Sequence, residues 1–187
     1  MTKRNSLILC LALASTSCAW ARRMAPLDIG DVSVGGEIGR RIDITIANNV
    51  LAIDADKDVI EPFRRRNSQG GYIGLGKFID SLVRFAAYSK DSKVLALKQH
   101  VVRETIATQE TDGYIGICRP EMRMWRLWDI HEMGYLVMGL TADHAYFDEE
   151  PSLDAAKRLA DYIIARWSDD PDRKTEGWVS TYVATTG

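Results

Sequence analysis

Residues 123–147, "RMWRLWDIHEMGYLVMGLTADHAYF", hold the pattern that decides the fold. Apolar side chains recur there at helical spacing, which predicts a helix from near Asp129 to about Tyr146. Glu132 lies three residues after Asp129, so the pair also predicts an N-cap and capping box at the start of this helix. The predicted inward stripe consists of Ile130, Met133, Val137 and Leu140.

The same helical spacing predicts four further helices, over residues 37–51, 77–90, 93–109 and 153–167. In the first, the stripe is Ile38, Ile42, Ile46 and Val50. The last carries the clearest apolar face, which includes Ile163, Ile164 and Trp167, and Ser152 is its predicted N-cap. Residues 52–76 form a polar connection, and residues 22–36 form an extended lead-in. The prediction is therefore an all-α chain of about five helices, in which short links favour antiparallel pairs.

The first 21 residues indicate a secretory signal peptide. Lys3 and Arg4 precede the apolar run "SLILCLALA", and Ala19-Trp20-Ala21 has the pattern of a cleavage site. The run is about ten residues long, too short for a membrane-spanning helix. We therefore expect a secreted or periplasmic protein. Lipidation at Cys18 is the alternative, although the preceding "STS" lacks the usual leucine.

Charge and cysteine content exclude several classes of function. Without residues 1–21 the chain has 22 basic and 26 acidic residues, a net charge of about −4, which argues against nucleic acid as a main partner. Cys118 is then the single remaining cysteine, so neither an internal disulfide nor a cysteine-rich zinc site is predicted within this chain.

His131-Glu132 resembles half of a zinc-protease motif, but the second histidine is absent. Position 135 holds Tyr135, and His144 lies about 140° away from His131 around a helix axis. Trp125 and Trp128 precede the pair. Indole faces stack on the apolar faces of sugars, while histidine and carboxylates bind hydroxyls, so one interpretation is a carbohydrate site. The alternative is a structural histidine near the helix N-terminus, with both tryptophans packed in the core. The candidate residues of the carbohydrate site are Trp125, Trp128, Asp129, His131, Glu132 and Tyr114.

The tetrapeptide "GYIG" occurs twice, at residues 71–74 and 113–116. One interpretation is a shared loop preference, because glycine adopts backbone angles that other residues avoid. The other is that both loops lie at one end of a helical barrel, with Tyr72 or Tyr114 facing a ligand.

The order of these motifs resembles the N-terminal part of the β-L-arabinofuranosidase-like glycoside hydrolases, family 127 and its relatives. The matching segments are "KFID" at residues 77–80, Gln109 with "DGYI" at 112–115, and Trp125 with "HEM" at 131–133. The resemblance covers roughly residues 37–170. It implies an (α/α)6 toroid of six helical hairpins, hydrolysis of arabinofuranosides or related glycans, and contact between His131 and substrate hydroxyls in the −1 subsite.

The resemblance also implies groups that this chain does not match. Family enzymes use a cysteine nucleophile held by zinc, with glutamates as zinc ligand and acid/base, all C-terminal to the matched segment. The catalytic residues are therefore expected beyond Gly187, the last residue of the sequence. No cofactor is expected in this chain, and zinc is expected in a full-length relative.

The predicted helices are also too few for the whole fold that the resemblance implies. Five helices cannot close a barrel of about twelve. We therefore expect an incomplete toroid over residues 37–187, from a truncated gene model or a fragment, without turnover.

Two alternatives stay open. Another six-hairpin carbohydrate enzyme, such as an unsaturated uronyl hydrolase or a sugar epimerase, would also place aromatic and acidic residues at helix ends. A small exported helical binding module would need no catalytic residues. The apolar residues of the tail, such as Trp178 and Tyr182, favour the first two interpretations over the third.

Overall fold

The computed structural model describes residues 25–124 and 127–166, without the side chain of Leu127. The predicted signal peptide and the tail as far as Gly187 therefore lie outside the described residues. Within the described ranges the chain is helical, and its only β-structure is one isolated bridge. The helices are α1 (Gly36–Thr45), α2 (Glu61–Arg65), α3 (Leu75–Ser89), α4 (Ser92–Ala107), α5 (Leu127–Phe147) and α6 (Glu150–Arg166).

Two helical hairpins form the centre of the structure. Helices α3 and α4 are joined by two residues, as are α5 and α6, so each pair is antiparallel. Glu132 in α5 accepts hydrogen bonds at the start of α3, which places the N-termini of α3 and α5 at the same end. Successive hairpins with parallel first helices are the repeat of a six-hairpin toroid, and the predicted all-α, incomplete (α/α)6 class is confirmed.

Helices α3 and α5 approach each other very closely at two glycines. A Cβ atom on Gly76 would overlap the backbone of Tyr135 and Leu136. A Cβ atom on Gly139 would press against the carbonyl oxygen of Gly76. Any larger side chain would push the helices apart, and overpacking of this kind typically costs about 1–3 kcal/mol. Glycine at these two positions therefore permits the close approach of α3 and α5.

The predicted inward stripe of α5 is confirmed. Ile130, Met133 and Leu140 are fully buried, and Val137 is partly buried. Leu136 is buried as well, because α5 packs against α3 on one side and α6 on another. A helix covered on several sides is apolar around most of its circumference.

Both N-cap predictions for the C-terminal hairpin are wrong. α5 begins at Leu127, so Asp129 lies in its first turn, and its carboxylate accepts a hydrogen bond from the Met124 N–H. α6 begins at Glu150, and the Ser152 hydroxyl donates to the Asp143 carboxylate at 2.6 Å. Both side chains form hydrogen bonds with other parts of the fold instead of capping a helix, although aspartate and serine are both good helix caps.

Two side chains that were predicted to face inward, on α1 and α6, are exposed. Ile38 is 67% exposed. The buried residues of the predicted stripe are Ile46 and Val50, which lie in a wider helical turn after α1. Ile164 is 71% exposed, since α6 packs through Leu159 and Ile163. Trp167, predicted on the same face of α6, lies outside the described residues.

The connection over residues 52–76 contains a helical segment that the sequence did not predict. A wide turn, Asp56–Ile60, runs directly into α2. Ile60 and Phe63 are fully buried, although charged residues surround them in the sequence. These flanking charges are paired on the surface, as in the contact between Arg64 and Glu104, and they hide the short apolar signal.

A buried ion pair joins the two hairpins away from the N-terminal ends of α3 and α5. The Lys98 ammonium lies 2.7 Å from the Asp143 carboxylate, and each side chain is 1% exposed. Ser152 donates to the other carboxylate oxygen, so this carboxylate has partners on both oxygens. Removing one member of a buried pair is far more costly than the pair is stabilising, so the contact fixes how α4, α5 and α6 fit together.

Candidate functional site

Aromatic side chains, a histidine and a lysine meet at the N-terminal ends of α3 and α5. Trp128, His131 and Tyr135 are spaced by three and four residues, so they lie on one face of α5. Tyr72 reaches them from the loop before α3, and Lys77 from the first turn of that helix. We call these five residues the aromatic cluster.

His131 lies at the centre of the aromatic cluster. Its ring centroid is 5.0 Å from that of Tyr72, 5.4 Å from that of Trp128 and 4.8 Å from that of Tyr135. All three contacts are edge-to-face, an arrangement that aromatic rings favour. Trp128 remains 45% exposed, so part of its side chain is accessible to solvent.

The surroundings of His131 favour the neutral form of its imidazole. Burial lowers the pKa of His131, and the positive charge of Lys77 lowers it further. Its Nδ1 atom is buried and has no hydrogen-bond partner among the described residues. A neutral imidazole offers one donor and one acceptor nitrogen, which suits recognition of a hydroxyl group.

Lys77 places a positive charge at the edge of the aromatic cluster. Its ammonium lies 4.2 Å from the ring centroid of Tyr135 and 5.2 Å from that of Tyr72, within the range of cation–π contacts. Proximity to the Tyr72 hydroxyl is the main cause that raises the pKa of Lys77. That hydroxyl itself makes no hydrogen bond of normal geometry within the described residues.

Glu132 points away from the aromatic cluster and into the protein. Its carboxylate accepts hydrogen bonds from the N–H groups of Ile73, Gly74 and Gly76, at 2.9, 2.8 and 3.3 Å. These are unpaired donors at the N-terminus of α3, where a negative charge is favourable. Burial raises the pKa of Glu132, and the N–H donors oppose that shift. Glu132 therefore anchors the loop that carries Tyr72.

Asp129 and Tyr114 form a second buried unit. The Tyr114 hydroxyl donates to Asp129 at 2.7 Å and accepts from the Cys118 N–H at 3.0 Å. The guanidinium of Arg123 stacks on the Tyr114 ring, 3.8 Å from its centroid. Burial is the first cause that raises the pKa values of both Tyr114 and Asp129.

The six residues predicted for the site thus separate into groups. Trp128 and His131 lie together in the aromatic cluster, while Glu132, Asp129 and Tyr114 are buried beside it with partners inside the protein. Trp125 lies outside the described residues. Sequence reasoning missed Tyr135 and Lys77. The i, i+4 spacing from His131 to Tyr135 is the available signal, because residues at that spacing are neighbours on one face of a helix.

The two Gly-Tyr-Ile-Gly loops lie side by side at this end of the helices. The Ser68 N–H donates to the Ile117 carbonyl at 3.1 Å, and the Arg119 N–H donates to the Ser68 carbonyl at 3.0 Å. Tyr72 of the first loop belongs to the aromatic cluster, whereas Tyr114 of the second loop is fully buried.

The described residues do not fit the zinc-and-cysteine site that the family resemblance implies. Cys118, the one cysteine among them, is buried. In the same part of the chain, one group of potential metal ligands has its atoms within 4.8 Å of one another, namely His144, Asp148 and Glu150. It contains no cysteine and lies at the far end of α5, so it does not correspond to that site.

The place expected for the catalytic residues, beyond Gly187, stays a prediction. The described residues end at Arg166, so Gly187 and the segment before it lie outside them. Within the described ranges, the aromatic cluster supplies groups that can bind a sugar, and Glu132 and Asp129 are engaged in the protein interior.

A groove of about 360 Å³ lies beside the buried ion pair, remote from the aromatic cluster. Lys98, Asp143 and Glu149 line it, and these charges pair with one another. None of the helices in the described ranges is both long enough and apolar enough to cross a bilayer.

The successive hairpins with parallel first helices define part of an (α/α)6 toroid. The sequence model of the β-L-arabinofuranosidase GH127 catalytic domain matches residues 45–181, so the chain belongs to that family. No curated protein sequence matches the chain.

A solved structure, the GH127 β-arabinofuranosidase BT3674, resembles this fold with a TM-score of 0.62 and 19% sequence identity. The similarity covers 86% of this chain and 31% of that structure, so the chain spans about a third of the length of its structural relative.

Proposed function

We propose that this chain supplies the N-terminal, sugar-binding part of a secreted glycoside hydrolase that acts on arabinofuranosides or related glycans. The aromatic cluster carries the proposal. It combines a partly exposed indole with a neutral imidazole that can bind a hydroxyl group. Family membership supports a carbohydrate as the substrate.

In this proposal, Trp128 stacks against the apolar face of a sugar and His131 exchanges hydrogen bonds with its hydroxyls. Glu132 and Asp129 act through other residues, because their carboxylates are occupied inside the protein. Glu132 holds the loop of Tyr72, and Asp129 holds Tyr114. Tyr114 has no path to a ligand while its hydroxyl is buried on Asp129.

We further propose that the 187-residue chain does not cleave glycosides alone. The nucleophile and zinc ligands implied by the family would have to come from clustered cysteines and glutamates. Cys118 is fully buried beside Tyr114 and therefore does not suit a nucleophile's place. A full-length relative would hold zinc through residues that follow the position of Gly187.

Ligand titration by NMR tests the binding proposal. Methyl arabinofuranoside should shift the indole resonance of Trp128 and the imidazole resonances of His131. Trp128→Ala and His131→Ala should each weaken binding about fivefold or more, through lost stacking or a lost hydrogen bond.

Tyr146→Ala is the matched control, because Tyr146 is a similarly exposed aromatic residue near the far end of α5. Its affinity should equal that of the unmodified chain. Equal affinities for all four proteins would contradict the proposed site. Turnover of 4-nitrophenyl arabinofuranoside by the 187-residue chain would contradict the proposal that it is inactive alone.

Export is tested separately. A secreted protein cleaved after Ala21 should begin at Arg22, which N-terminal sequencing would show. A mature N-terminus at Cys18 would instead support a lipoprotein.

A further inference from the structure

We propose that the sugar unit received by the aromatic cluster is acidic, and that Lys77 recognises its carboxylate. This inference rests on the proposed sugar-binding function of the cluster, and it narrows the class of ligand. It follows from three features of the cluster: the position of one ammonium group, the lack of a carboxylate beside it among the described residues, and the donors that surround it.

The Lys77 ammonium packs against rings of the aromatic cluster, although the residue is exposed. Contacts at 4.2 Å with the Tyr135 ring and 5.2 Å with the Tyr72 ring hold it against two members of the aromatic cluster. The Tyr72 ring also lies 5.5 Å from that of Trp128, centroid to centroid. A sugar stacked on Trp128 would therefore have its edge near this ammonium.

The charge of Lys77 is not neutralised within the described part of the chain. Asp80 is the nearest acidic residue along α3, and it is paired with Arg84 at 3.0 Å. The two carboxylates at the start of α5 are also unavailable, because Glu132 binds backbone N–H groups and Asp129 binds Tyr114. The ammonium thus faces the cluster without an anionic partner in these ranges.

The polar groups around Lys77 are mainly donors. An ammonium can only donate, and the hydroxyls of Tyr72 and Tyr135, which lie near it, donate readily. A neutral sugar needs acceptors for its own hydroxyl protons, and among the described residues His131 is the main candidate. A carboxylate accepts on both oxygens and carries the opposite charge, so it matches this set of groups better.

The test compares D-galacturonate with D-galactose, which differ only in a carboxylate or a hydroxymethyl group at one carbon. NMR titration of the 187-residue chain at low salt should give about fivefold tighter binding of galacturonate, as expected for one partly exposed ion pair. The preference should shrink as salt rises above about 0.1 M, where the screening length is about 10 Å.

Variants assign the preference to Lys77. Lys77→Met should abolish the difference between the two sugars, and Lys77→Arg should keep it. Lys93→Met is the control: Lys93 is an exposed lysine at the start of α4, about 20 Å away at the other end of α3. That variant should keep the full preference, and circular dichroism should show equal helix content in all variants.

The outcomes separate this inference from the proposed function. Equal binding of galactose and galacturonate, or a preference that survives Lys77→Met, would overturn the acidic-sugar inference and leave sugar binding intact. Binding of methyl arabinofuranoside without binding of either hexose would also overturn the inference alone, and binding of none of the three sugars would overturn both. A salt-sensitive preference that disappears only in Lys77→Met would support the inference.

Discussion

The same four residues, Gly-Tyr-Ile-Gly, occur in two neighbouring loops and adopt opposite roles. In the first loop the backbone binds a carboxylate of α5, Glu132, and Tyr72 stays in the aromatic cluster. In the second loop the tyrosine hydroxyl binds a carboxylate of α5, Asp129, and Tyr114 is fully buried. The two carboxylates are three residues apart on one helix.

The difference between the loops shows how a buried carboxylate directs its surroundings. A buried carboxylate needs several donors, and either backbone N–H groups or side chains can supply them. Where the backbone supplies them, the tyrosine is left to join the aromatic cluster. Where the tyrosine hydroxyl supplies a donor to the buried carboxylate, the tyrosine ring must lie in the core. Identical local sequences therefore reach different environments through the partner that each one meets.

The largest expected effect comes from removing the anchor of the first loop. Glu132→Ala should lower the free energy of unfolding by about 3 kcal/mol, because three backbone N–H groups lose their acceptor at the start of α3. Urea denaturation measures the loss. Glu121→Ala, at an exposed glutamate, should change stability little. A loss below about 1 kcal/mol for Glu132→Ala would show that water replaces the carboxylate.

A smaller effect distinguishes the two tyrosine hydroxyls. Tyr114→Phe should cost about 1–3 kcal/mol, since it leaves Asp129 and the Cys118 N–H without their shared partner. Tyr72→Phe should cost less than about 0.5 kcal/mol, because the Tyr72 hydroxyl lies near the Lys77 ammonium but makes no hydrogen bond of normal geometry within the described residues. The two variants remove the same atom, so equal losses in thermal denaturation would contradict the contrast between the loops.

The smallest effect is the pH response of His131. Burial and the Lys77 charge lower the pKa of His131 in the folded protein below its ordinary value of 6.5. At pH values between the folded pKa and 6.5, the unfolded chain therefore binds the proton more readily than the folded protein does. Stability from this group is therefore present at neutral pH and lost as pH falls from 6.5 through the folded pKa. An NMR titration of the imidazole measures that pKa.

Lys77→Met sharpens the same measurement. It should raise the His131 pKa only slightly, because burial is the larger cause. A large rise would instead show that the ammonium charge dominates. An imidazole that titrates above 6.5 in the unmodified protein would contradict the neutral form proposed for sugar binding.

Much of the helical architecture was predictable from local pattern. Helices α3 to α6 match their predicted ranges within a few residues, because long amphipathic repeats such as Ile130, Met133 and Leu140 give a strong signal. The segment around Ile60 and Phe63 was missed, since two buried residues among many charges are too few to reveal a period.

The candidate site was predictable only in part. Trp128 and His131 were identified because indole and imidazole groups suit sugar recognition, and the structure brings them together. The roles of Asp129 and Glu132 depended on residues far away in sequence. Glu132 binds Gly74, 58 residues earlier, and no local pattern indicates that contact.

By itself, the sequence determined the all-α class, the hairpin order and the choice of α5 as the helix that carries the site. Helical periodicity and short links are local properties, and they act wherever the chain is placed. The tertiary structure alone decided which of the candidate side chains are buried. Helices α3 and α5 meet at Gly76 and Gly139, and this close packing turns Glu132 and Asp129 inward while Trp128 and His131 stay at the edge. Burial and hydrogen-bond partners come from that packing, so they are set by contacts between residues that are distant in sequence.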